Sequence, residues 1–329
     1  MAFFASRRLA TAAVALSVAA CGQEGRAVTS GTGGTSSTSA SSSSVGSGGS
    51  GGSLPVAKPL RILNWNTHNF LNDKNDSSAP DEVVISSSQY TAHRKAVGAV
   101  ISALDPDIAV LAEVENTPVL EDLDATELGG AYSGVALVDG NDPRGIDVGV
   151  LSKVALGDVV SHKDETFTLA GTGGPPYQYS RDCLEVHLVF NGRPIVLLAV
   201  HFKAKTPPDD PDKRLAEAQH TRAIADALAV KDPGTAIVIL GDYNDVPGSP
   251  AYLAIAGAQA DTYVDAADSA PEADRWTFDF NGKLELVDHQ MQNPLLYERL
   301  DAMSVVIPHG GDVDAASDHA PMMATYEVN

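Results

Sequence analysis

Two Asn-Gly dipeptides, Asn191-Gly192 and Asn281-Gly282, each stand between strand-like runs, and this pattern restricts the fold more than any other feature of the chain. Asn-Gly favours a two-residue hairpin turn because both residues accept positive φ. The first dipeptide joins runs at 184–190 and 194–202; the second joins 276–280 and 284–287. Elsewhere apolar runs at 61–66, 108–111 and 237–240 alternate with helical patterns. The helix expected over 90–104 carries Val97, Val100, Ile101 and Leu104 and stops at Asp105-Pro106, and another is expected over 211–230. Further strands are expected at 134–138, 147–151, 304–307 and 321–328. Hairpins mixed with strand-helix-strand units require mixed sheets, so two packed sheets with helices outside are expected in an α/β fold.

The N-terminus has a different composition. Arg7-Arg8, an apolar run over 9–20 and Cys21 follow the order of a signal peptide, with an apolar segment too short to span a bilayer. Val18-Ala19-Ala20-Cys21 resembles a bacterial lipobox, which implies lipidation at Cys21; ordinary cleavage after an Ala-x-Ala-like site is the alternative. From 29 to 53 the chain is almost wholly Gly, Ser and Thr, a composition that buries no core and acts as a flexible tether. The expected organisation is a signal peptide over 1–20, a lipidated linker over 21–53 and one domain over 54–329. The expected location is the bacterial cell envelope, membrane-anchored or secreted. With Cys21 lipidated, Cys183 is the one cysteine left, so no intramolecular disulfide is available. The formal net charge of −21 opposes non-specific attraction to nucleic acid and makes action on a polyanion dependent on divalent cations.

Polar residues fall where the apolar runs end. Asn66 closes one run, Glu113 another and His201 a third; Asp242 and Asn244 follow "IVIL" in "IVILGDYND", Asp288 and His289 follow 284–287, and Asp318-His319 precede the last strand. Each has a bland reading alone: Asn66 a turn, Glu113 a solvated end, His201 a satisfied core histidine, Asp242 to Asp245 an Asx-turn, Asp318-His319 a strand entry. Acids, amides and imidazoles recurring at the ends of buried strands instead mark a shared mouth. Glu, Asp and Asn oxygens suit a hard cation, Mg²⁺, Mn²⁺ or Ca²⁺, and no zinc-type cluster is present. A hard cation together with a His–carboxylate pair is phosphoester hydrolysis chemistry. Neither a Ser nucleophile elbow nor a Walker loop occurs.

The series "LNWNTHNF", "PDIAVLAEVEN", "VLLAVHFKAK", "GDYND" and "SDHAP" resembles the metal-dependent endonuclease/exonuclease/phosphatase superfamily, which includes pancreatic deoxyribonuclease, abasic-site endonucleases, sphingomyelinases and inositol-polyphosphate phosphatases. "RGIDVGVLSK" and "LELVDHQMQNPLL" are similar to its secreted bacterial nuclease branch. The resemblance implies a four-layered α/β sandwich, two packed mixed β-sheets flanked by helices. It implies metal ligation by Asn66, Glu113 and Asp318, and phosphate contacts from Arg144 and Arg181. It also implies catalytic roles for His201, Asp242 and Asn244, and for His319 partnered by Asp288, with Asp301 of "ERLDAMSVV" the competing partner. The activity implied is nuclease hydrolysis of DNA or RNA by a monomer without a protein partner. A phosphatase or sphingomyelinase-like phospholipase C is the alternative within the superfamily, and a non-enzymatic binding module the alternative outside it. Lys203, Lys205, Arg181 and Arg214 are candidates for a local basic patch, with solvated strand-end charges the other reading of the two lysines.

Overall fold

The computed structural model describes residues 56–76, 79–257 and 263–329. The expected signal peptide, the lipidation site Cys21 and the Gly/Ser/Thr tract lie outside the described residues. The first half contains β1 (Lys58–Phe70), α1 (Ser87–Leu104), β2 (Ile108–Val114), α2 (Thr117–Glu127), β3 (Gly134–Leu137), β4 (Asp147–Ser152), β5 (Leu156–Ser161), β6 (Cys183–Phe190) and β7 (Arg193–His201). Then follow α3 (Pro211–Lys231), β8 (Ala236–Asp242), α4 (Pro250–Ala256), β9 (Val264–Asp265), β10 (Phe278–Phe280), β11 (Lys283–Glu285), β12 (Asp288–Gln292), α5 (Pro294–Tyr297), α6 (Asp312–Ala316) and β13 (Met322–Val328).

Two sheets carry the fold, with strand orders β13-β1-β2-β4-β3 and β5-β6-β7-β8-β12-β9. Each is mixed: β1–β2 and β7–β8 pair in parallel, and the other neighbours are antiparallel. Period-2 alternation explains how a continuously apolar strand serves two cores. On β7, Ile195, Leu197 and Ala199 join the core shared by both sheets, while Val196, Leu198 and Val200 join the one containing residues of α3 and α4. Residues of α1 and α2 complete the first core. Each fully buried aliphatic side chain contributes roughly 1.5–3 kcal/mol.

Local signals set the helix ends. Ser86 and Gln89 form a capping box at the start of α1, and Asp105 ends it in a left-handed conformation just before Pro106. Asp210 caps α3, with Pro211 in its first turn. Among the described residues no helix is long and apolar enough to cross a membrane.

Several expectations need correction. The hairpin expected across Asn281-Gly282 is present as the two-stranded β10–β11 sheet, but its second strand stops at Glu285, and the strand that joins the larger sheet, β12, begins only at Asp288. The run at 304–307 is a 3₁₀ turn at Ala302–Ser304 followed by an isolated bridge from Val306 to Met323, because Pro308 ends its pairing. Neither α2, α4 nor β5 was expected. α2 starts at an Asn116 cap with Pro118 in its first turn, and four of the six residues of β5 are exposed, so β5 lacks the apolar alternation that marks a half-buried strand.

Candidate active site

At the common end of the two sheets, strand phase and turn geometry bring the polar residues together. Asn66 is in phase with Leu60, Ile62 and Asn64 on the face of β1 that looks toward the second sheet, where Asn64 Nδ2 donates to the carbonyls of His289 (3.1 Å) and Gly241 (3.4 Å). Beyond Asn66 the β1–β2 register shifts, and His68, Asn69 and Glu113 all take positive φ. For a glutamate that conformation costs about 1–3 kcal/mol, which the surrounding bonds must hold. Asn66 Nδ2 supplies one of them, donating to Glu113 Oε1 at 3.3 Å, and Asn69 N another, donating to Glu113 Oε2 at 2.8 Å; Asn66 Nδ2 also donates to Asp242 Oδ2 at 3.0 Å. Asn66 therefore bridges a carboxylate from each sheet.

Asp242 ends β8 opposite Asp288, which opens β12, because these strands run antiparallel in register. Asp288 thus enters the site from the start of a strand, not from the end as expected. His319 Nδ1 meets Asp288 Oδ2 at 2.7 Å, settling the choice against Asp301, which caps a turn at Met303. His289 faces the other way, its Nδ1 2.6 Å from Asp265 Oδ2. Ser317 Oγ donates to Asn66 O, Trp65 Nε1 donates to His319 O at 2.8 Å, and the Phe278 ring lies 4.7 Å from the imidazole. The Asx-turn and the site are one structure: Asp242 Oδ1 accepts from Asn244 N at 2.7 Å, and Asn244 Nδ2 donates to Phe202 O at 3.1 Å.

The electrostatics divide the roles. Burial pulls the His319 imidazole down, but Asp288, with Asp242 and Asp318 behind it, outweighs that and raises it to about 10. Burial and the nearby Asp288 push the Asp242 carboxyl up to about 6. Burial, with the positive charges of Arg181, His319 and Arg144, holds His201 neutral, well below the ordinary imidazole range. Its Nε2 is 3.5 Å from Asp242 Oδ2, and its Nδ1 is buried without a partner among the described residues. At neutral pH the site therefore holds an imidazolium beside a carboxylate.

Because the folded pKa of His319 lies above the ordinary 6.5, its pairing stabilises the fold fully below about 6.5 and that contribution fades as pH rises through about 10. If the reaction uses the charged form, kcat/KM holds through neutral pH and declines only toward pH 10. Asp288→Asn is expected to move this alkaline limb down by at least two pH units, as a kcat/KM profile would show; an unmoved limb would rule out the pairing as its origin.

Glu113 and Asp318 both act on His68, whose Nδ1 is 2.8 Å from Asp318 Oδ1, and Asp318 raises His68 by hydrogen bond and charge. His68 stands half-exposed at the mouth, placed there by a positive-φ turn that spacing does not reveal. Of the expected metal residues, Glu113 and Asp318 offer carboxylate oxygens, whereas Asn66 turns its Nδ2 to Glu113 and Asp242 and its Oδ1 to the His68 N–H, so it is a bridge and not an oxygen donor. This oxygen donor set fits a hard divalent cation. The group Asp242, Asp288 and His319 also has ligating atoms within 4.8 Å of one another, but an imidazolium paired to an aspartate is a poor ligand.

Arg144 is half-exposed, its Nε and guanidinium N–H donating to Asp142 at 3.0 Å each. Arg181 departs from expectation as an open phosphate contact: it is 4% exposed and donates to Phe202 O and Asp142. Arg214 is likewise buried, donating to Lys203 O, Asp209 and Asp245, so it is not part of a surface patch; Lys205 pairs with Asp245 at 3.4 Å.

The description "Endonuclease/Exonuclease/phosphatase family" matches residues 62–303. The chain belongs to that family. Among solved structures, truncated TDP2 from Caenorhabditis elegans aligns at 18% identity and TM-score 0.55 over 82% of this chain and 98% of its own. The human Nocturnin catalytic domain with bound sulfate aligns at 13% identity and TM-score 0.59 over 82% and 95%. D. rerio TDP2 complexed with single strand DNA product aligns at 15% identity and TM-score 0.51 over 82% and 98%. No curated protein sequence matches the chain. These likenesses extend the fold beyond the matched residues, and this family member is a metal-dependent phosphoester hydrolase.

Proposed function

We propose that this hydrolase cleaves phosphodiester bonds of nucleic acid, with DNA the first substrate to test. The observation that carries the reading is the His319–Asp288 imidazolium facing Asp242, with Glu113 held beside it by Asn66. A bound Mg²⁺ or Mn²⁺, held by Glu113 and Asp318, would neutralise phosphate oxygens. Asp242, ionised above about pH 6, accepts a proton from the attacking water, and Asn244 keeps its carboxylate oriented. His319 donates from Nε2, since Asp288 occupies Nδ1. Arg144, at the mouth, pairs with a phosphate oxygen, and neutral His201 supports Asp242. The proposal includes export and a lipid anchor at Cys21, which would hold the enzyme at a membrane.

The purified chain with Mg²⁺, Mn²⁺ or Ca²⁺ is tested in parallel on supercoiled plasmid, single-stranded RNA and sphingomyelin vesicles. Metal-dependent nicking that falls at least ~10²-fold in Glu113→Gln is expected, a typical scale for losing a metal's charge stabilisation. Plasmid left intact under all three metals would end the DNA reading. A Cys21→Ala strain should release the activity from the membrane fraction.

One observation favours a second substrate class. The β10–β11 hairpin exposes Phe280 (58%) and Leu284 (52%) next to Phe278, which packs on His319. The hairpin was expected at Asn281-Gly282, but its exposed apolar edge was not. It brings an apolar edge to the mouth, where a lipid phosphodiester could lodge, and the sphingomyelin arm tests it.

A further inference from the structure

A second acidic cluster lies away from the His319–Asp288 pair. Asp76, Glu82 and Glu115 bring one oxygen each within 4.8 Å of the others. Each is also pinned by an amide. Asp76 Oδ1 accepts from Asn72 Nδ2 at 3.1 Å and Asn116 Nδ2 at 2.9 Å; Asp76 N donates to Glu82 Oε1 at 2.9 Å, and Asn72 N donates to Glu115 Oε2 at 2.6 Å. The decisive group is Glu115. It is 1% exposed, and its second oxygen, Oε1, is buried without a hydrogen-bond donor among the described residues. A carboxyl oxygen removed from water beside two other carboxylates is costly unless a cation or a shared proton completes it, and burial with the charges of Asp76 and Glu82 raises the Glu115 carboxyl accordingly. Glu115 also lines an adjoining cavity of about 230 Å³ with Ala79, Pro80, Asp139 and Asp142.

We propose that Asp76, Glu82 and Glu115 form a second divalent-cation site, separate from the one at Glu113, that takes Ca²⁺. The donors are all hard oxygens drawn from a loop and a strand end, an irregular set that suits the 6–8-coordinate, flexible shell of Ca²⁺ better than the strict octahedron of Mg²⁺. Its effect reaches the active site by position. Asp81 N donates to Pro143 O, tying this loop to the segment in which Asp142 holds Arg144 and Arg181. Filling the site therefore braces the loop that presents Arg144.

Calorimetric titration of the full, EDTA-stripped chain with CaCl₂ tests the proposal. In a Glu113→Gln background one saturable Ca²⁺ site is expected to remain. Glu82→Gln and Asp76→Asn, both at less buried positions, should each weaken it at least tenfold, and Glu115→Gln should abolish it. Hydrogen exchange supplies a second readout: Ca²⁺ should slow the amides of 72–76 and 79–85 in the Glu113→Gln chain. Absence of a saturable site in that background, or binding unchanged in all three variants, would overturn the proposal. Neither result bears on nucleic acid cleavage, which the Glu113 and His319 variants address.

Discussion

Replacing His319 by alanine is expected to lower kcat/KM by ~10²–10⁴-fold, the usual worth of a positioned proton donor in its transition state. The site offers no evident substitute. His201 is held neutral behind Asp242, His289 is committed to Asp265 on the far side of β12, and His68 is engaged with Asp318. The backbone around His319 is secured independently, by Trp65 through the His319 carbonyl and by Ser317 Oγ to its N–H, so the variant should remain folded. Asp288→Asn should cost less at pH 6 than at pH 9, because the imidazole then loses the charge that keeps it protonated. Since the two side chains act as a unit, the double variant should cost little more than His319→Ala alone. Rates measured with thermal melts decide the matter: a kcat/KM within fivefold of the parent in a folded His319→Ala chain would remove His319 from the reaction.

Gly241→Ala is expected to have the largest effect on stability. Gly241 has φ +144°, a conformation side chains rarely adopt, and a Cβ there would lie 1.8 Å from Val200 O and 2.8 Å from its carbonyl carbon. Both clashes are with backbone in the parallel β7–β8 pairing, one residue before His201 meets Asp242. No rotamer change relieves them, so the strands must separate. Backbone strain of ~1–3 kcal/mol and overpacking of ~1–3 kcal/mol together consume a large share of the ~5–15 kcal/mol that holds a domain folded. Denaturant melts should show a loss of at least ~3 kcal/mol, with activity falling even in whatever remains folded. As a control, Gly248→Ala has positive φ but open space and should cost only the conformational strain. Equal losses at the two glycines would show that close packing against Val200 is not what Gly241 serves.

Much of this arrangement is written locally. The Asn191-Gly192 turn dictates the β6–β7 hairpin; Ser86, Gln89 and Pro106 bound α1; and the unbroken apolar runs of β2 and β8 mark strands covered on both sides. The donor chemistry is equally local, since Glu113, Asp242, Asn244 and Asp318-His319 each lie at or next to a strand end. What spacing could not supply is pairing between elements distant in the chain. The "NPLL" that follows Asp288 favours it over Asp301 as the His319 partner only by resemblance; the antiparallel register of β12 on β8 decides it, because that register sets Asp288 opposite Asp242. Whether an arginine is available also depends on neighbours contributed by other segments: Arg181 and Arg214 resemble Arg144 in sequence, yet both are buried by contacts from elsewhere. Periodicity and turn chemistry act over a few residues, so the sequence by itself determined the main strands and the two long helices, the mixed sheets and the kind of chemistry at their ends, but not α2, α4 or β5. Register, burial and the Glu113 and His68 backbone turns arise only when remote segments compete for the same space, and so the partners within the site were decided by the tertiary structure.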